Sequence, residues 1–150
     1  MLTAQPASIF GWDFELRGSF TALASFNWLG ESGAIQVAGD TFQVVKQGWL
    51  SGQWTLEQGG AVYARATKTG VFSRSVEIST GSMTLTIRAQ SPFTRGFDLE
   101  ADGRPVGSVV PDHAFTRRST LSIADRVPAE LQVFAFWMIV LLWRRASRND

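Results

Sequence analysis

The sequence predicts a mainly β domain, a closed antiparallel barrel of about 12 strands that encloses one apolar C-terminal helix. Three observations lead to this class. Residues before Pro128 alternate apolar and polar in short runs separated by turn-forming pairs. Val133–Trp143 reads VFAFWMIVLLW, 11 consecutive apolar residues with no polar face. The two parts also suit each other in size. The 127 residues ahead of Pro128 hold roughly 10 to 16 strands at about 8–12 residues per strand and turn. A sheath for a helix about 10 Å across needs on the order of 11 or 12 of them, because about eight strands fill a barrel with their own side chains. The 150 residues form a single domain, 1–150, long enough to bury a core without disulfides or metal staples.

The strands show themselves by period two. Trp54 and Leu56 alternate with Thr55 and Glu57, Val76 and Ile78 with Ser75 and Glu77, and Met83, Leu85 and Ile87 with Thr84, Thr86 and Arg88. Gly39-Asp40, Gly59-Gly60, Thr80-Gly81 and Asp102-Gly103 read as hairpin turns, the last between Phe97 and Leu99 on one side and Val106 on the other. The final strand is expected near Thr120–Ile123. Closure of the sheet would remove the edges that make a large open sheet prone to aggregate.

The helix is placed at 128–145. Pro128 suits a first helical position, Glu130 faces the positive end of the helix dipole, and Arg144, Arg145 and Arg148 sit at the negative end. Eleven residues span only about 16 Å at about 1.5 Å each, against about 30 Å of bilayer hydrocarbon. Upstream extension brings Glu130 into the apolar layer. A helix this short and apolar all round belongs inside a protein. The competing assignment is a C-terminal tail anchor, with Arg144 and Arg145 as flanking charges and the β domain in the cytoplasm. Met1–Phe10 carries no Lys or Arg and no sustained apolar run, so no secretory signal is expected and the protein is placed in the cytoplasm, peripheral to a membrane.

Composition excludes several functions. The absence of cysteine removes disulfide frameworks, thiolate zinc sites and cysteine nucleophiles. A net charge of +1 supplies no field for nucleic acid, and the six tryptophans therefore read as packing residues, Trp54 in a strand and Trp137 and Trp143 in the helix. No glycine pattern cradles phosphate. His113 follows Asp112 in a loop, with no Gly-x-Ser-x-Gly elbow to supply a nucleophile. Asp98, Glu100 and Asp102 alternate along a strand and would share one face, the pattern of either a hard-cation site or an ordinary solvated face. An enzyme built on these acids, or on Asp112 with His113, is the weakest reading. No catalytic, cofactor or metal residues are assigned.

Basic residues favour the C-terminal third: residues 1–50 hold two basic and four acidic side chains, and residues 101–150 hold seven and five. Twelve of the 14 basic residues are arginine, which suits forked contacts to phosphate or carboxylate. The hairpin-rich region, then Thr120-Leu121-Ser122-Ile123-Ala124-Asp125-Arg126-Val127-Pro128, then the apolar helix closed by Trp143-Arg144-Arg145, resembles the tubby C-terminal-like superfamily. That group includes tubby, the phospholipid scramblases, the plant LURP-one-related proteins and small bacterial single-domain members. The resemblance implies a barrel of about 12 strands around a central helix, and a non-enzymatic binding or scaffold role at an anionic phospholipid surface. Arg117, Arg118, Arg126, Arg144 and Arg145 are the candidate headgroup contacts, provided that they gather at one rim.

Overall fold

The computed structural model describes residues 1–9, 11–27, 29–48, 51–70 and 74–148. The chain forms twelve strands and one helix: β1 Leu2–Pro6, β2 Phe14–Gly18, β3 Thr21–Phe26, β4 Gly33–Val37, β5 Asp40–Lys46, β6 Gln53–Gln58, β7 Ala61–Lys68, β8 Ser75–Ser79, β9 Thr84–Ala89, β10 Phe97–Ala101, β11 Arg104–Pro111, β12 Ser119–Ile123 and α1 Ala129–Arg148. Each strand pairs antiparallel with its sequence neighbours, and β1 pairs with β12 through Leu2↔Leu121, Thr3↔Thr120 and Ala4↔Ser119. The barrel is therefore an up-and-down meander closed by its own ends, which leaves no free edge.

Period-two alternation decides the inner face. Phe14 and Leu16, Ile35 and Val37, Leu85 and Ile87, and Phe97 and Leu99 are buried, while their neighbours in sequence face outward. The outer wall presents residues such as Thr3, Gln5, Glu15, Gln36, Gln43, Glu77, Thr86 and Thr120, not the apolar band that a lipid-spanning barrel turns outward. Thr55 breaks the alternation. It is buried on the outer side, where its hydroxyl meets Gln47 Nε2 at 2.7 Å and Glu57 at 2.5 Å.

Helix α1 fills the interior. Every residue from Leu131 to Trp143 is buried, as a helix without a polar face requires. It runs nearest β3 and β4, where the inward residues Ala22 and Ala24 leave room for a helix backbone. Two indole N–H groups fasten it to the wall: Trp137 Nε1 donates to the Ser25 carbonyl and Trp143 Nε1 to the Arg95 carbonyl, each at 2.9 Å. Phe136 meets Phe14 edge-on at 5.1 Å, and Phe26 stacks on Trp137 at 4.3 Å.

Two local expectations shift. The helix starts one residue after Pro128, whose carbonyl accepts from Leu131 and Gln132, and it extends three residues beyond Arg145. The β4–β5 turn residues are Ala38-Gly39 rather than Gly39-Asp40, because a two-residue hairpin of this hand needs positive φ at both positions, here 54° and 83°. The segment considered as a tail anchor lies inside the barrel, and no helix among the described residues is long and apolar enough to cross a membrane.

Candidate functional site

The two ends of the barrel differ in kind. Connections from even to odd strands are two residues long, apart from 80–83 between β8 and β9, and Gly59-Gly60 and Asp102-Gly103 again have both residues at positive φ. Connections from odd to even strands are six or seven residues long, at 7–13, 27–32, 47–52, 69–74, 90–96 and 112–118. Helix α1 begins at the short-turn end, where the Tyr63 hydroxyl donates to Glu130, and finishes among the long connections. Among the described residues, helix α1 and the inward side chains of the strands fill the interior of the barrel. The surfaces open to a ligand are therefore the outer wall and the two ends.

Charge singles out the long-connection end. Its connections, the strand residues bounding them and the helix terminus carry Lys46, Lys68, Arg74, Arg95, Arg117, Arg118, Arg144, Arg145 and Arg148, against Asp13, Glu31 and Asp112 among the described residues. Nine of the 14 basic residues thus stand beside three carboxylates among the described residues. Among the described residues, three of them contact a carboxylate. Glu31 accepts from Arg145 at 2.5 and 2.6 Å and from Lys46 at 2.7 Å, and Asp112 lies 3.3 Å from Arg118.

Four other arginines spend their donors on loop carbonyls. Arg74 bonds Ser91 O at 2.5 Å and Thr94 O at 2.8 Å, joining the β7–β8 and β9–β10 connections. Arg95 reaches His113 O at 3.1 Å and Ala114 O at 3.0 Å in the β11–β12 connection. Arg117 crosses to the β1–β2 connection, donating to Gly11 O, to Ser8 O at 3.0 Å and to Ile9 O at 2.8 Å, with its guanidinium 5.4 Å from the Trp12 ring centroid. Arg144 ties the helix to Gly30 O at 2.7 Å. Carbonyl partners satisfy hydrogen-bonding capacity without cancelling charge, so these arginines both brace the rim and leave it positive.

Titration shifts follow this crowding. Glu31 is held at a pKa of about 2, chiefly by its hydrogen bond from Arg145 and also by Lys46, against the opposing effect of burial. Burial lowers the pKa of Arg144, and the like charge of Arg148 lowers it further. Burial and the charge of Arg145 lower that of Lys68. Around Arg144 and Arg148 an open cleft of about 340 Å³ is walled by Trp12 and Phe26 and bounded by Gly11, Asp13 and Asn27. Its chemistry is aromatic on the sides and cationic at the helix terminus, suited to an anionic group attached to an apolar or cyclic body.

The structure gathers Arg117, Arg118, Arg144 and Arg145 at this rim. Arg126 is at the opposite end, exposed in the turn before α1 and beside Met83, Asp102 and Arg104. It precedes the helix whereas Arg144 and Arg145 end it, so helix length separates them. Lys46, Lys68, Arg74 and Arg95 were not anticipated. The signal was their position, at the ends of odd-numbered strands or in the connections that follow them. Asp98 and Glu100 share the outer face of β10, but Asp102 sits in the turn at φ 51° and leaves that face. Among the described residues no group of three or more metal-ligating side chains occurs. His113 is exposed, and its Nδ1 accepts from the Phe115 amide at 3.3 Å.

The fold and this rim define the chain as a helix-filled meander barrel with a cationic end. No family model, curated protein or solved structure matches it.

Proposed function

We propose that this protein is a non-enzymatic binding module of tubby-like architecture that engages anionic phospholipid headgroups at a membrane surface through its long-connection end. The observation that carries this reading is the concentration of nine cations at one end; among the described residues five of them, Lys68, Arg74, Arg95, Arg117 and Arg144, bond to carbonyls and three, Lys46, Arg118 and Arg145, to acids. Each Lys or Arg close to an anionic leaflet contributes about 1 kcal/mol, and about four to eight clustered basic residues mark such recognition. The aromatic-walled cleft at Arg144 and Arg148 supplies a place for one phosphate group with its attached body. Flotation with phosphatidylserine-containing vesicles tests the proposal, with neutral phosphatidylcholine vesicles as reference. Binding is expected to the anionic vesicles only and to weaken steeply with salt. Equal behaviour with both vesicle types, or no binding to either, removes the membrane role.

A further inference from the structure

The same end of the barrel carries a second, apolar feature. Ile9, Leu29, Phe93 and Phe115 are 82%, 91%, 98% and 98% exposed, and they occupy four different long connections. Single exposed apolar side chains are ordinary on protein surfaces and need no explanation. Their distribution does. Among the described residues at the short-turn end, only the N-terminal Met1 among large apolar side chains is comparably exposed. In sequence, the remaining two long connections also hold large apolar residues, Trp49-Leu50 and Val71-Phe72, which lie outside the described residues. A large apolar residue followed by Gly, Ser or Thr therefore recurs once per hairpin, at Leu29, Leu50, Phe72, Phe93 and Phe115, spaced by 21 or 22 residues.

An inward-facing core does not demand this repeat, because core residues lie in the strands and helix and the connections contribute little to them. Closure of the meander brings the connections to one end, so the tips are arranged around a rim rather than lined up in a groove. An arginine anchored to a carbonyl of the same connection accompanies each of the four described tips: Arg74 on Ser91 and Thr94 beside Phe93, Arg95 on His113 and Ala114 beside Phe115, Arg117 on Ile9, and Arg144 on Gly30 beside Leu29. Four exposed apolar tips on neighbouring connections, with buried or half-buried arginines bonded to the same loops, match the layering of a bilayer surface, where acyl chains lie below the phosphates.

Resting on the headgroup-binding reading above, we infer that the long-connection end is a membrane-insertion face: its apolar loop tips enter the acyl boundary of an anionic leaflet while the arginines behind them meet the phosphates. The bilayer fits better than a protein groove because the tips sit on separate loops around a rim and because the charge behind them complements an anionic surface.

The test uses the full chain and phosphatidylserine-containing vesicles. Phe93→Ser together with Phe115→Ser removes two tips that contact little else, so thermal unfolding is expected to be unchanged. Vesicle affinity is expected to fall by about a hundredfold or more, from the apolar burial that two phenylalanines supply. Because the chain has no cysteine, Phe115→Cys and Ser79→Cys each give a single attachment point for a polarity-sensitive fluorophore. Brominated acyl chains should quench the label at 115 and leave the one at 79, on the outer wall near the short-turn end, unaffected. Salt-sensitive binding that the double variant retains, with no quenching at 115, overturns insertion and leaves the headgroup reading intact. No vesicle binding by the wild-type chain overturns both. Tip-dependent self-association without vesicle binding assigns the tips to a second copy of the chain and likewise overturns insertion.

Discussion

Replacement of Trp137 measures how completely the barrel encloses its helix. The indole is fully buried, stacks on Phe26 at 4.3 Å and donates to the Ser25 carbonyl at 2.9 Å. Truncation of a buried Trp to Ala costs about 3–5 kcal/mol through lost transfer energy and the cavity left behind. The same change leaves the Ser25 carbonyl without its indole donor, worth about 1–3 kcal/mol when no water replaces it. The two costs overlap, so we expect Trp137→Ala to lose about 5 kcal/mol. Trp137→Phe keeps most of the volume and the stacking partner but has no donor, and should lose about 2 kcal/mol. Urea unfolding followed by far-ultraviolet circular dichroism reads both. With a slope of about 2 kcal/mol per molar, the Phe variant should unfold about 1 M earlier and the Ala variant about 2.5 M earlier. A loss under about 1 kcal/mol for Trp137→Ala would mean that the helix does not depend on the surrounding wall, and the account of the core would fail.

Other residues give independent checks. Gly33→Ala is expected to destabilise the barrel by about 1–3 kcal/mol on denaturant unfolding, because its Cβ would lie 2.0 Å from the Ser25 carbonyl oxygen on the adjoining strand. Glu31 has its pKa lowered from 4.5 to about 2, so its contribution to stability is complete above about pH 4.5 and is lost as pH falls toward 2. Acid unfolding should therefore flatten in Glu31→Gln, which lacks up to about 3 kcal/mol of that dependence. Tyr63, the chain's single tyrosine, has its pKa raised to about 12 by burial and by the Glu130 carboxylate. The protonated phenol is the form favoured by folding, so that contribution holds below about pH 10 and fades toward 12. Absorbance titration of the phenolate should move to lower pH in Glu130→Gln.

The fold was legible because its two signals are strong and mutually consistent. Period-two runs such as Met83–Ile87 admit one buried face, and an apolar segment like Val133–Trp143 admits none exposed. The space needed by the second sets the strand number of the first. Local detail was less legible. Gly39-Asp40 is as good a turn pair on paper as Ala38-Gly39; the pairing of Val37 with Asp40 decides between them. The burial of Thr55 depends on Gln47 reaching across from the neighbouring connection. The rim was half legible. Arg144 and Arg145 end the helix and Arg117 and Arg118 precede the last strand, so their shared end follows from topology once strand parity is known. Arg126 is close to them in sequence but is separated by the length of α1. Arg74 and Arg95 carry no local motif at all, and their role emerges only when closure brings six connections together.

The arrangement links the core and the cationic rim through one element. Helix α1 fills the barrel with its apolar body and delivers Arg144, Arg145 and Arg148 to the rim with its last turn. Arg145 and Lys46 converge on Glu31, whose backbone carbonyl accepts from the Trp54 indole at 2.9 Å. The position of the helix terminus is thereby fixed by the wall. A helix displaced along its axis by one turn would move about 5.4 Å, enough to break the Arg144, Arg145 and Trp143 contacts together. Core packing and rim geometry are then two readings of one constraint, because the buried side chains that set the helix depth also set where its arginines emerge. Substitutions deep in the core, far from any ligand, should accordingly alter the rim whenever they change that depth, whereas substitutions at the exposed loop tips should leave the core unchanged.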